Sequence, residues 1–179
     1  RWAPDHAWDI FEIGVDGTGI KRLTNTGHDD FDPCYLPNGR IVFLSTRRGG
    51  FGRCHPVPKP TATLYSMKGD GSDVICLSYH ETNEFQPSVN NGGKIVYTRW
   101  DYVDRQAEIA HHMWECNPDG TDPREHLKVK FAEEIVPSPD GRWALFSRLH
   151  QIVVMRLRQG LQSGVSPLQR DGLWPVGHC

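Results

Sequence analysis

Long apolar runs are missing from this chain of 179 residues. No stretch approaches the roughly 18 residues that a membrane-spanning helix needs. Charge of one sign is missing as well: 20 Lys and Arg stand against 22 Asp and Glu, a formal charge of -2. Without a broad basic surface, nucleic acid is not an expected partner. There is no C-x-x-C-H, which excludes covalent haem attachment within these residues. There is no G-x-S-x-G either, and Gln162-Ser163-Gly164 lacks the spacing of a nucleophile elbow. A phosphate-cradling glycine loop is absent, because each glycine pair falls at a hairpin signal. His80-Glu81-Thr82-Asn83-Glu84 begins like a zinc-protease helix, but Glu84 stands where the second histidine is required and the context predicts a loop. Five cysteines, an odd number, fit neither a dense disulfide framework nor a zinc ribbon.

What is present is one pattern written three times. The first copy reads WDIFEIGVDGTGIKRLT and then FDPCYLPNGRIVFLST, between Trp8 and Thr46. The second reads TLYSMKGDGSDVICLS and FQPSVNNGGKIVYTR, from Thr63 to Arg99, and the third HHMWECNPDGTDPREHL and IVPSPDGRWALFSR, from His111 to Arg148. Gly17, Gly71 and Gly120 lie 54 and 49 residues apart, and Gly39, Gly93 and Gly141 lie 54 and 48 apart, so two independent markers keep one period. Asp-Gly at 16/17, 70/71, 119/120 and 140/141, and Asn-Gly at 38/39, supply the positive φ angles of tight hairpins. Strands are therefore predicted near 8–15, 20–24, 32–36 and 40–46, and at matching places in the later copies. The runs Ile41–Leu44, Ile95–Tyr97 and Trp143–Phe146 are apolar on successive residues, which predicts cover on both strand faces. A period of about fifty residues with about four short strands is that of a β-propeller blade, which buries its faces only against its neighbours.

The expected fold is all-β: antiparallel four-stranded blades of an incomplete β-propeller. Repeats span 8–50, 62–105 and 107–150, with 151–179 the start of a further blade or a tail. Phe11, Tyr65 and Trp114 share one repeat position, Ile13, Met67 and Cys116 another, and both positions are expected in the core. Arg1-Trp2 matches Arg99-Trp100, the tail of a blade, and Gln151–Leu157 matches an opening strand. The pattern thus starts and stops within a repeat, and the chain is expected to be an excerpt of a longer protein. Three whole blades with parts of two others leave two blade faces to cover, since propellers close with about four to eight. The expected partner is the rest of the propeller or another chain.

SPDGRWALFSR, with LPNGRIVFLSTRR as its sibling, resembles the strand–turn–strand unit of TolB-like propellers, which occur in bacterial periplasmic proteins and in some peptidases. FDPCYLPNGRIVFLSTRRGGFGRCHP, SYHETNEFQPSV, KIVYTRWDYVDR and AHHMWECNPDGTDPR, between residues 31 and 124, are similar to propeller-bearing proteins related to the hydrazine synthase alpha subunit. This resemblance implies a periplasmic or otherwise extracytoplasmic bacterial protein, whose propeller lies beside c-type haem domains in the best-known member. The first functional expectation is a non-catalytic scaffold or binding module, with no catalytic residue assigned within the chain. The alternatives are the propeller segment of a haem-containing redox enzyme and the propeller domain of a peptidase.

Chemistry is expected where the copies depart from one another. The connection from Arg47 to Ala62 carries GGFGRCHPVPKP, and the one after Arg99 carries WDYVDRQAEIAHH; long connections on a rigid sheet are where binding residues gather. Cys54 and His55 are the metal-ligand candidates, because thiolate and imidazole suit zinc and iron. Arg53, His111 and His112 are the candidates for cofactor contact, the cofactor being zinc or a c-type haem carried outside these residues. Each has a plainer reading. Cys54-His55 is then a packed loop thiol beside a surface imidazole, His111 fills core at the position of Trp8 and Ala62, and His112, at the position of Asp9 and Thr63, caps a ladder or faces the central channel. Arg47, Arg48 and Arg53 form a solvated loop or an anion site, and Asp101 and Asp104 with Arg99 and Arg105 form surface pairs or line the same face as His112. A Cys34–Cys54 disulfide is compatible with an oxidising compartment, whereas Cys116 is expected as a buried free thiol.

Overall fold

The structure, a computed structural model, describes residues 7–52, 58–100, 111–127, 133–138, 142–148, 151–156 and 173–174. Every regular element among them is a β-strand. A leading hairpin pairs β1 (Phe11–Glu12) with β2 (Lys21–Arg22). Sheet I holds β3 (Asp30–Tyr35), β4 (Arg40–Ser45), β5 (Thr63–Lys68) and β6 (Ile75–Cys76). Sheet II holds β7 (Glu84–Val89), β8 (Ile95–Trp100), β9 (His111–Cys116) and β10 (Arg124–Leu127). Sheet III holds β11 (Glu133–Pro137), β12 (Trp143–Arg148), β13 (Gln151–Arg156) and β14 (Leu173–Trp174). In each the strands are antiparallel and follow chain order. β3, β7 and β11 adjoin one another, so the first strand of each sheet is the inner one of an incomplete propeller.

The turns are built as their sequences require. Asp70 accepts the Ser72 amide at 2.9 Å and its hydroxyl at 2.6 Å, and Asp16 with Thr18 and Asp119 with Thr121 repeat the arrangement. These bonds hold the three carboxyls below the usual carboxylate range. Gly71 and Gly120 have φ of 90° and 81°, which a side chain would strain. They also press against the preceding sheet: a Cβ on Gly71 would lie 2.5 Å from the Leu23 carbonyl oxygen, and one on Gly120 2.4 Å from that of Leu77. The missing side chain lets successive outer hairpins approach this closely.

The sheets are cut half a period later than the repeats 8–50, 62–105 and 107–150. Each sequence repeat gives an outer pair of strands to one sheet and an inner pair to the next. The connections after β4 and β8 therefore join hydrogen-bonded neighbours within a sheet, and Gln151–Arg156 is the third strand of sheet III, paired with β12 along its length. Period is fixed by local turn and apolar signals; phase depends on which strands pair across the long connections, a non-local choice.

Two cores result. Ile10, Leu23, Ile41, Phe43, Tyr65 and Met67 fill the space between the leading hairpin and sheet I. Leu44, Leu64, Leu77, Ile95, Tyr97 and Cys116 belong to the core between sheets I and II. The successive apolar residues of β4 are covered on both faces, as expected, with Val42, Phe43 and Leu44 fully buried. The leading hairpin departs from its copies: Tyr65 and Met67 are 7% and 0% exposed, whereas Phe11 and Ile13, at the same repeat positions, are 53% and 54% exposed. Among the described residues no sheet packs on that face of the hairpin, so the side chains that should be core stand in solvent.

Candidate functional site

An acidic residue opens the inner strand of each full sheet: Asp30, Glu84 and Glu133. Asp30 is buried and turned back on its own sheet. It accepts the Ser45 hydroxyl at 2.6 Å and the Arg47 guanidinium at 2.6 Å. The Arg47 guanidinium carbon lies 5.4 Å from the Phe43 ring centre and 5.9 Å from that of Tyr65, within cation–π range. Arg47 is thus part of the wall between the leading hairpin and sheet I, not an anion site in solvent. Arg48 donates to the His80 carbonyl.

Glu84, one methylene longer, reaches outward. Its carboxylate accepts the Leu64 amide of sheet I at 2.8 Å and the Ser78 hydroxyl at 2.6 Å. In the preceding interface the matching amide, that of Ile10, goes to the Thr24 hydroxyl at 2.9 Å. Burial pushes the Glu84 carboxyl up, against the bonds from Ser78 and Leu64. Its register partner is Arg99, whose guanidinium carbon sits 4.1 Å from the Trp114 ring centre.

Beside this acid and arginine opens a cleft of about 330 Å³ between sheets I and II. Leu64, Leu77 and His80 line one side; Tyr97, Arg99 and Cys116 line the other. Burial pushes the Tyr97 phenol up strongly, and the Cys116 thiol to about 12, so both stay protonated at neutral pH and Cys116 offers neither nucleophile nor metal ligand. The cleft therefore carries His80 and Arg99 towards one end and Leu64, Leu77 and the protonated Cys116 along the rest.

The candidates from sequence fall in different places. Arg53, Cys54 and His55 lie outside the described residues, as do Asp101, Asp104 and Arg105. His111 packs its ring 5.7 Å from Phe85 and 5.8 Å from Trp100. His112 lies opposite Arg99, with its Nδ1 3.1 Å from a Glu125 carboxylate oxygen. Among the described residues no group of three His, Cys, Asp or Glu could hold a metal ion. Cys34, Cys76 and Cys116 are free thiols. His80–Glu84 is loop up to Asn83, and Glu84 begins β7. Sequence reasoning assigned no cleft here; the signal available was Arg99 standing where the first copy has Ser45.

No family model and no curated protein matches the sequence. Solved structures do. The hydrazine synthase of Kuenenia stuttgartiensis is similar with a TM-score of 0.68 at 13% identity, over 83% of this chain and 28% of that one. A gluconolactonase of Xanthomonas campestris gives 0.58 at 15% identity, over 89% and 54%. A protein assigned as TolB from Agrobacterium tumefaciens gives 0.60 at 15%, over 82% and 51%. The chain therefore has a TolB-like β-propeller fold and spans between about a quarter and just over half the length of these relatives. Among the described residues no helix is long and apolar enough to cross a membrane.

Proposed function

We propose that residues 1–179 form part of a β-propeller serving as a non-catalytic scaffold and binding module in an extracytoplasmic bacterial protein. One observation carries this reading: the described buried acids join strands and sheets, Asp30 to Ser45 and Arg47, Glu84 to Leu64 and Ser78, instead of facing a reacting atom. The partner is the rest of the propeller. It supplies an inner pair of strands to the leading hairpin, where each full sheet has four strands, and a sheet over Phe11 and Ile13.

A second reading makes the chain the propeller segment of a haem-containing redox enzyme, and the likeness to hydrazine synthase favours it. In that case a metal, or a haem carried elsewhere, would be contacted by Cys54 and His55, with Arg53, His111 and His112 near them. The two described members of this set already have other contacts, His111 with Phe85 and Trp100 and His112 with Glu125, so ligation would fall to Cys54 and His55.

Haem and metal analysis of the full-length protein, beside a Cys54→Ala, His55→Ala variant, separates the two. The scaffold reading expects no haem and equal metal in both proteins. Haem in the native protein together with loss of metal or haem contact in the variant establishes the redox reading. Ligation there requires neutral imidazole or thiolate, so it weakens as pH falls through about 6.5, where histidine charges.

A further inference from the structure

The turns that join the first and second strands of sheets I and II carry different residues on one frame. In each, a glycine of positive φ donates its amide to a carbonyl three residues back: Gly39, at φ 79°, to Leu36 at 3.0 Å, and Gly93, at φ 76°, to Asn90 at 2.9 Å. Aligned on these glycines, Pro37 and Asn38 of the first copy become Asn91 and Gly92, and the third copy has Pro139 and Asp140. Gly92 does not have a positive φ, so the turn requires no glycine there, and a Cβ on it would meet only the Asn90 side-chain oxygen, at 3.3 Å. A glycine without a backbone reason thus follows an asparagine in an exposed turn.

Before glycine, which has no side chain, the carboxamide of an asparagine meets the least steric resistance to attack by the next backbone nitrogen. The sequence has two such pairs, Asn38-Gly39 and Asn91-Gly92, and the fold treats them differently. Asn38 is tied: its Oδ1 accepts the Arg40 amide at 3.0 Å, and the Gly39 amide is committed to the Leu36 carbonyl. Asp16, Asp70 and Asp119 also precede glycines, but each carboxyl is held by the residue two places on and kept ionised, which makes it a poor electrophile. The Asn91 side chain is exposed and makes no hydrogen bond to the described residues, and the Gly92 amide is held only by the Asn90 side-chain oxygen, at 2.9 Å.

We infer that Asn91 is a site of spontaneous deamidation. The Gly92 nitrogen passes its proton to solvent and bonds to Asn91 Cγ; the carbon–nitrogen bond of the carboxamide breaks, and the nitrogen leaves as ammonia. Water then opens the succinimide ring at one of its two carbonyls and leaves aspartate or isoaspartate, so the net change is amide and water to acid and ammonia. The turn abuts its neighbour, since a Cβ on Gly93 would lie 3.6 Å from Pro37 Cγ. The methylene that an isoaspartate adds to the main chain therefore falls at the seam between sheets I and II. This inference stands apart from both the scaffold and the redox readings.

Ageing the purified full-length protein at mildly alkaline pH, with peptide mapping by mass spectrometry over time, tests it. Asn91 is expected to convert at least about tenfold faster than Asn38, to give both isoaspartate and aspartate, and to react faster as pH rises, because the attacking nitrogen must lose a proton. Gly92→Ala should melt close to the native protein and slow the conversion at least about tenfold. In guanidinium chloride the two Asn-Gly pairs should react at matching rates, which assigns the difference to the fold. No conversion at Asn91, conversion at Asn38 as fast as at Asn91, or aspartate as the sole product overturns the proposal. So does a folded Gly92→Ala protein that converts at the native rate, or a preference for Asn91 that persists unchanged in guanidinium chloride. Should Gly92→Ala fail to fold, the rates of the native protein with and without denaturant decide the matter.

Discussion

On one side of sheet I, Asp30 folds back to Ser45 and Arg47 of its own sheet; on the other, Glu84 of sheet II crosses to the Leu64 amide and the Ser78 hydroxyl. The two acids hold the same place in the fold and differ by a methylene. The shorter one keeps an ion pair and a guanidinium packed on Phe43 and Tyr65, which closes its interface. The longer one reaches across to its neighbour through the Leu64 amide and the Ser78 hydroxyl, and Arg99 lies over the Trp114 ring beside an open cleft. The comparison teaches that a repeated fold can hold its sheets together by two chemistries, an ion pair packed into one interface and a carboxylate reaching across the other.

The largest effects should come from the feature both interfaces share. Gly71→Ala and Gly120→Ala each place a Cβ about 2.5 Å from a backbone carbonyl of the neighbouring sheet at positive φ, and each should cost about 3–4 kcal/mol in urea unfolding. Gly39→Ala, at φ 79° with open space around it, should cost about 1 kcal/mol and so separates strain from contact. Next comes the asymmetry. Asp30→Asn leaves the Arg47 guanidinium largely buried without its counter-charge and should cost about 3 kcal/mol, whereas Glu84→Gln keeps an oxygen for the Leu64 amide and should cost less than about 1 kcal/mol. Equal costs would break the comparison.

The pH dependence sharpens it with opposite signs. Glu84 has its folded value above the ordinary 4.5, so the folded state loses stability as pH rises from 4.5 through that value. Glu84→Gln removes this loss, and the variant should gain on the native protein as pH rises through that window. Glu115 is held at about 2 by His126 and then Lys94, so its contribution is complete above 4.5 and disappears as pH falls towards 2. Glu115→Gln should flatten that acid limb, the smallest of these effects, read as urea midpoints between pH 2 and 5.

The repeat itself was legible because its markers are local: an Asp-Gly or Asn-Gly turn and an apolar run such as Ile41–Leu44 declare themselves within a few residues. The phase was not, because β4 and β5 pair across the connection from Arg47 to Ala62, and nothing local distinguishes that from a passage between sheets. The same ambiguity hid the cleft. Arg99, His80 and Leu77 can be compared with their counterparts in the sequence, but only the phase shows that two of them face the third across an interface. Phe11 and Ile13 were legible as core types, yet burial belongs to the neighbour as much as to the residue.

The half-period offset bears on how the molecule tolerates being cut. A break in the connection after β4 separates the chain within sheet I, yet the two pieces still share six register pairs, from Arg40 with Lys68 to Ser45 with Thr63, in a strand pair buried on both faces. Nicked there, the protein should stay assembled and copurify as two peptides that part only in denaturant, a fragment complementation built into the repeat. A fragment spanning 8–50 would carry two hairpins that have no strand pairing with each other, whereas one spanning 30–76 would carry an entire sheet.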